Sequence, residues 1–354
     1  MANYKPDMEK KLIKEKEKIL KDVPEFLYEY IEEYLPLKSN ELRTHIAYAK
    51  DIINFLTYYS SYIIKDLNLI TLDDMNNVTH RILHNYFKHI TQYSTTYITA
   101  AGKEVTKIRT NSSVTKARKL AALKKFYEYL IKENKVRNNP TIDLEINKTL
   151  FSRINNKLDM LDIKDIVKEI DNGNNVSSKR EEKSHERLKI RDKTIFLILS
   201  YTGIRVSELV SLDIQDVDTK ECIIKVTRKN NKIEEIPYPS AISNDIEEYM
   251  IYRDKISNKV KEEYKKALFI SQKKTRLTTE SVRIMLKKYG YRTDIDISGC
   301  HMLRRSFLST LYNNTGDIRL VARVGGHSVA TASKYYADVD EERLRNTLSD
   351  FDYK

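Results

Sequence analysis

The chain has 354 residues, 40% of them hydrophobic, enough for one large core or two ordinary ones. Sixty-three lysines and arginines against 51 aspartates and glutamates leave a net charge of +12, which points to a polyanionic partner, either nucleic acid or an anionic membrane surface. No uncharged apolar run approaches the roughly 20 residues that span a bilayer, and the N-terminal sequence MANYKPDMEKKLIKEKEKIL lacks the apolar stretch of a signal peptide. Two cysteines, Cys222 and Cys300, exclude a disulfide framework and a cysteine-rich zinc site. The eight glycines are dispersed and form neither G-x-G-x-x-G nor G-x-x-x-x-G-K-[ST], so no nucleotide-binding loop is visible. The expectation is a basic cytoplasmic protein with no membrane segment, no metal site and no nucleotide cofactor.

Scarce glycine and proline, with long stretches of helical period, predict a mainly α protein with a small antiparallel β-sheet. Residues 8–20 form a highly charged helix candidate. Pro24 restarts the chain ahead of Phe26, Leu27, Tyr30, Ile31 and Tyr34 at helical spacing. Ser39 offers an N-cap to the run Ile46, Ala49, Ile52, Ile53, Phe55 and Leu56. A third helix is predicted from His80 to about Gln92. A fourth starts near the polar cluster Thr110-Asn-Ser-Ser and carries Leu120, Leu123, Tyr127 and Leu130. Together they predict a helical bundle over residues 1–136, followed by a linker over 137–150 that opens on Arg137-Asn-Asn-Pro-Thr. Residues 171–186 show no apolar period and are predicted to be a mobile loop. Thr194 to Tyr201 is apolar and helical in length. The runs from Cys222 to Thr227 and from Ile233 to Pro237 are predicted strands, joined through Arg228-Lys-Asn-Asn-Lys in a hairpin. From Thr278 onward the pattern is helical again.

Between Lys107 and Lys125 stand seven cations (Lys107, Arg109, Lys116, Arg118, Lys119, Lys124 and Lys125) and no acidic residue. On a helix whose other face is Leu120, Leu123, Tyr127 and Leu130 they would form an outer stripe, suited to neutralising phosphates with release of counterions. A merely solvated face is the alternative. In the N-terminal charge run Glu9, Glu15 and Glu17 interleave the lysines, and there the solvated face is expected.

The second half holds the residues that bear chemistry. Arg205 follows a glycine turn in Thr202-Gly-Ile-Arg205-Val-Ser-Glu208-Leu; Lys229 and Lys232 sit in the hairpin turn; His301 and Arg304 stand at i and i+3 on one helical face; Gly325-Gly-His327 marks a helix break; Tyr335-Tyr336 follows. Each taken singly reads as structural. Taken together they suit phosphodiester chemistry: two guanidinium forks can grip both non-bridging oxygens, and a tyrosine phenol can attack phosphorus. A lysine can protonate a departing alkoxide, and histidines can share protons or hydrogen-bond the phosphate.

In order, the motifs T-G-I-R-V-S-E-L, V-T-R-K-N-N-K, H-M-L-R-R-S-F, G-G-H-S and K-Y-Y resemble those of the tyrosine recombinases of the phage-integrase superfamily. Spacing agrees: His301 lies 96 residues after Arg205, His327 lies 23 after Arg304, and Tyr336 lies nine after His327. The end of the chain from Tyr336, Y-A-D-V-D-E-E-R-L-R, is similar to the Xer subgroup, and Asp22-Val-Pro-Glu-Phe-Leu-Tyr-Glu-Tyr with residues 111–130 is similar to the single-recombinase XerS type. The resemblance implies a helical, SAM-like core-binding domain over 1–136 and a mixed α/β catalytic domain over 151–354. A C-terminal oligomerisation segment would carry Leu344 and Leu348 at i and i+4. It further implies that Arg205 and Arg304 clamp the phosphate, Lys229 protonates the 5′-oxygen, His301 assists proton transfer, His327 hydrogen-bonds the phosphate, Tyr336 is the nucleophile and Glu208 supports the site. Lys107, Arg109, Lys116, Arg118, Lys119 and Lys124 would contact DNA. The sequence departs from the family pattern at Arg305, where many relatives have histidine, at Gly325, where leucine is common, and in the hairpin, which is not Gly-Lys-Gly and leaves Lys229 and Lys232 both open.

The implied activity is site-specific strand exchange through a 3′-phosphotyrosine and a Holliday junction, without metal, ATP or other cofactor. The implied partners are a double-stranded DNA recombination site and further copies of the chain, two on a site and four in a synapse. A DNA translocase stays open as an accessory, and localisation to the nucleoid follows. Residues 1–38 look too short and too helical for an arm-binding domain, which favours chromosome dimer resolution over integration or excision of a mobile element. A catalytically inactive DNA-binding protein and a type IB topoisomerase are the other readings.

Overall fold

In the computed structural model, residues 4–39, 41–98, 102, 104–147, 157–228 and 231–336 are described. The chain divides into two units, whose described residues are 4–147 and 157–336.

The first unit is built on α1 (Tyr4–Ile19), α2 (Glu25–Glu29), a π-helical turn (Tyr30–Tyr34), α3 (Leu35–Lys38), α4 (Leu42–Ile63), α5 (Leu72–Asn76), α6 (His80–His89) and α7 (Ser113–Lys132). Its core takes one face from each long helix, with Leu27, Tyr30, Ile52, Phe55, Tyr86, Leu123, Phe126 and Tyr127 essentially solvent-free. The predicted helices are present. The cap expected from Ser39 is not a helix cap: α4 starts at Leu42 with no side-chain cap, and Ser39 Oγ accepts from the Glu41 N–H instead. Between α6 and α7 the chain forms an antiparallel hairpin of β1 (Gln92–Ile98) and β2 (Glu104–Thr110), pairing Tyr93 with Arg109 and Thr95 with Lys107. Lys107 and Arg109 therefore lie on a strand, not on the helix read from the sequence; Val105, Ile108 and the threonines around them favour extended chain. Val136 and Leu144 join the first core, so part of the predicted linker is packed.

In the second unit the order is α8 (Met160–Asn172), α9 (Lys179–Thr202), α10 (Val206–Ser211), β3 (Val217–Asp218), β4 (Ile223–Thr227), β5 (Ile233–Pro237), α11 (Ser243–Lys255), α12 (Thr279–Thr293), α13 (Cys300–Thr315), α14 (Ile318–Gly325) and α15 (Val329–Tyr336). The three strands form one antiparallel sheet in the order β3-β4-β5, with Thr227 opposite Ile233. Helix α9 is central and packs against α8, α11 and α13. Its stretch Ile195-Phe-Leu-Ile-Leu199 is buried all round, as expected of an interior helix.

The loop predicted over 171–186 is shorter than expected. Gly173 ends α8 in the left-handed conformation, and α9 already begins at Lys179, with Ser178 Oγ accepting from the Glu181 N–H at 3.2 Å. The apolar period is missing because polar residues fill the buried face. His185 is buried beside Arg292, Glu181 pairs with Arg292, and Asp192 accepts from Arg191 at 2.7 Å and from Tyr289 at 3.1 Å.

Candidate active site

Four elements of the second unit bring charged side chains together. Thr202, Gly203 and Ile204 turn the chain from α9 into α10. Gly203 sits at φ +61°, where a side chain would be strained and its Cβ would meet Phe307 Cδ1 at 2.6 Å. Arg205 is thereby delivered to the N-cap of α10. Glu208, three residues on and buried, accepts from the Arg205 backbone N–H and from Arg205 Nη1, each at 2.7 Å, while Arg205 Nη2 donates to the Gly326 carbonyl at 3.0 Å. A third of the Arg205 side chain stays open to solvent.

Arg304, from α13, is almost fully buried. Its guanidinium donates to the carbonyls of Gly203 and Gly325, and its Nη2 stands 2.9 Å from His327 Nε2. An arginine only donates, so Nε2 is the acceptor and the ring proton sits on the buried Nδ1. Desolvation, with Arg205 nearby, lowers the Arg304 pKa to about 10. Desolvation and the cations Arg304, Arg205 and Arg228 lower that of His327 to about 4, so His327 is a neutral imidazole at pH 7.

Helix α14 ends at Gly325, and Gly326 at φ +55° turns the chain so that His327 returns to the site. A Cβ on Gly325 would lie 3.1 Å from His327 Nδ1 and 3.2 Å from Leu308 Cδ1, so glycine suits this packing. Tyr336, at the end of α15, stacks on His327 with ring centroids 6.0 Å apart and planes 9° from parallel. Burial raises its pKa; Arg304, Arg305 and Arg205 oppose the shift without cancelling it. His301, in the first turn of α13, is open to solvent on one side. Partial desolvation, then the cations Arg304 and Arg205, lower its pKa.

The sequence missed Arg228. It opens the predicted hairpin connection, yet it is buried and donates from Nη1 to both oxygens of Glu208 at 2.9 and 2.8 Å, from Nε to Glu234 at 3.0 Å, and from Nη2 to the Val324 carbonyl at 2.7 Å. Glu234 was missed with it. Lys229 lies outside the described residues, as do Leu344 and Leu348. Lys232 is largely exposed and its Nζ pairs with Glu234 at 2.9 Å.

A model of the phage integrase family matches residues 157–343. The chain belongs to the phage integrase family. It is a Xer-like tyrosine recombinase, an enzyme that breaks and rejoins DNA. It is 28% identical over 316 residues to tyrosine recombinase XerC of Pelotomaculum thermopropionicum, covering 88% of this chain and 93% of that one. Against tyrosine recombinase XerC of Alcanivorax borkumensis it is 30% identical over 234 residues, covering 66% and 71%. Its fold is similar to the XerH site-specific recombinase bound to palindromic difH substrate in a post-cleavage complex (TM-score 0.63, 21% identity, 87% of this chain and 80% of that one). It is also similar to the Tn1549 transposon integrase in complex with transposon right end DNA (TM-score 0.65, 15% identity, 91% and 98%).

In the recombinase's first unit the predicted stripe is only partly an outer one. Lys119 is buried, its Nζ 2.9 Å from Asn54 Oδ1 and 3.3 Å from the buried Asp51. Burial lowers its pKa. The same Asp51 accepts both arms of Arg118, and Lys125 lies 5.6 Å over the Tyr48 ring. Lys119 is thus corrected from a DNA contact to a core ion pair, because α7 turns it toward α4. Lys107, Arg109 and Arg118 remain exposed, and Lys116 and Lys124 partly so. If the partly exposed pair meets phosphates, replacing Lys116 and Lys124 by alanine will weaken DNA binding and reduce the log–log salt slope by roughly two. Lys119→Met will leave that slope unchanged while lowering stability by about 1–3 kcal/mol, since Asp51 loses a buried partner. Filter binding across a salt series and thermal melts check both.

Among the described residues no helix is long and apolar enough to cross a membrane.

Proposed function

We propose that the recombinase acts through Tyr336 as nucleophile, Arg205 and Arg304 as phosphate clamp, Lys229 as general acid, His301 as proton acceptor and His327 as a phosphate ligand, with Glu208 holding Arg205. The observation that carries this reading is the meeting of Arg205, Arg304, His327 and Tyr336, from four separate elements, with Tyr336 laid against His327. The Tyr336 oxygen attacks the scissile phosphorus and its proton passes to His301. The bond from phosphorus to the 5′-oxygen breaks, and that oxygen takes the proton of Lys229. A 3′-phosphotyrosine and a free 5′-hydroxyl result, and a 5′-hydroxyl from another strand reverses the step. The diester's energy is kept in the phosphotyrosine, so rejoining needs no nucleotide. Developing negative charge lies between two arginines already placed before substrate arrives. An anion among these cations would also offset the repulsion that holds the His327 pKa down.

Lys229 is preferred to Lys232 because Lys232 is engaged by Glu234 and faces solvent. Lys107, Arg109, Lys116, Arg118 and Lys124 are assigned to DNA contact in a core-binding first domain, with catalysis in the second. The full pathway would use two protomers on each site, four in a synapse and a Holliday junction. Chromosome dimer resolution is the preferred role, supported by the similarity to XerC of Pelotomaculum thermopropionicum, which extends over 88% of this chain. Mapping where the protein protects and cleaves genomic DNA tests that role: one chromosomal locus supports it, and ends of a mobile element overturn it.

Since arginines and lysine are assigned the neutralisation of charge, a nicked suicide substrate will be cleaved in excess EDTA without ATP. An adduct that forms only when magnesium is restored would overturn the assignment.

A further inference from the structure

Arg228 uses its guanidinium entirely inside the protein. Its donors go to Glu208, to Glu234 and to the Val324 carbonyl, and only 6% of its side chain is exposed, so it has little to offer a phosphate. Those three acceptors belong to three parts of the site. Glu208 holds Arg205 at the start of α10. Glu234 is on β5, across the hairpin from β4. Val324 belongs to the last turn of α14, just before the loop that returns His327. The backbone closes the same junction: the Arg228 N–H donates to the Lys232 carbonyl at 2.7 Å, and Gly326, which has no side chain, lies against the guanidinium, where a Cβ would come within 3.0 Å of Arg228 Cζ. The residue that follows Arg228 in the chain is Lys229.

We propose that Arg228 is a positioning residue that ties the base of the β4–β5 hairpin to the Arg205–Glu208 pair and to the α14 carboxyl end, and so sets where the hairpin's lysine begins. This rests on the reading of Lys229 as the acid that protonates the leaving 5′-oxygen. Its three guanidinium nitrogens hold Glu208, Glu234 and the Val324 carbonyl at once and in one plane, which the single ammonium of a lysine at position 228 could not do. Glu234 is the second anchor. Although partial burial would raise its pKa, the hydrogen bonds from Lys232 and Arg228 lower it, so it stays a carboxylate that both cations can grip.

A general acid matters only as much as the leaving group needs a proton. Single-turnover cleavage is therefore compared on two suicide substrates, one with the ordinary 5′-oxygen and one with a 5′-bridging sulfur, which leaves as a thiolate without protonation. Lys229→Ala sets the reference, with a large loss on oxygen and little on sulfur. Arg228→Lys is expected to slow the oxygen substrate by about 10²-fold, the scale of a misplaced catalytic group, and the sulfur substrate several-fold at most, with DNA affinity unchanged. Glu234→Gln, a milder change that keeps the Arg228–Glu208 pair, is expected to show the same selectivity with a smaller loss and carries the test if Arg228→Lys does not fold. Equal losses on both substrates in the position 228 and 234 variants, with Lys229→Ala still selective, would overturn the proposal and leave the lysine reading standing. Equal losses in Lys229→Ala would overturn the lysine reading and this proposal with it.

Discussion

Tyr336→Phe is expected to abolish the covalent protein–DNA adduct on a nicked suicide substrate and to leave DNA binding nearly intact, whereas Tyr335→Phe is expected to retain the adduct. Neighbouring residues on a helix point about 100° apart, so only one of the two phenols can face a given phosphate. Tyr335 is 44% exposed, while Tyr336 packs against the cluster of Leu308, Val321, Ala322 and Ala332 and stacks on His327. Its pKa is raised, with burial outweighing Arg304, Arg305 and Arg205, so at pH 7 the phenol arrives protonated and must lose its proton during attack. That is a step for which a neutral imidazole is suited, and partial desolvation, with the cations Arg304 and Arg205, lowers the His301 pKa. Denaturing gels of trapped complexes read the adduct directly. Loss of adduct in Tyr335→Phe with its retention in Tyr336→Phe would reverse the assignment, retention in both would point to a different nucleophile, and no adduct even in the unsubstituted protein would favour a protein that binds DNA without cleaving it.

The helices of both units were legible because most bury an apolar stripe, as Leu120, Leu123, Tyr127 and Leu130 do on α7. The same rule failed where burial is polar. The start of α9 gave no apolar period because its inward residues include His185, whose Nδ1 lies 3.3 Å from Arg292 of α12, over a hundred residues away. Local sequence cannot show a partner at that distance. Lys119 was misread for the matching reason: a lysine in a basic run looks solvated, and only the fold shows Asp51 and Asn54 beside it. In the candidate site, Arg205, Glu208, His301, Arg304, His327 and Tyr336 could be picked out by ordered motifs. Arg228 could not, because its meaning lies in acceptors on α10, β5 and α14 that no motif spells together.

Arg304→Lys will lower the rate of adduct formation by about 10²–10³-fold, the cost of losing a preplaced donor to developing charge, while site affinity changes far less. Arg304 has five N–H groups, of which three serve the Gly203 and Gly325 carbonyls and His327 Nε2. The remaining two, on Nε and Nη1, have no acceptor among the described residues and are already oriented by the bonds that the others make. A lysine keeps the charge but holds it on a flexible stem, with a point ammonium where a planar fork is needed. Affinity is spread over many phosphate contacts and tolerates the loss of one. The bond from Arg304 strengthens as charge grows on the non-bridging oxygens, so its loss falls on the rate. Measuring binding by gel shift and cleavage under single turnover on the same substrate separates the two. If affinity and rate fall together by the same factor, Arg304 serves binding and not the transition state, and the clamp must be rebuilt around Arg205.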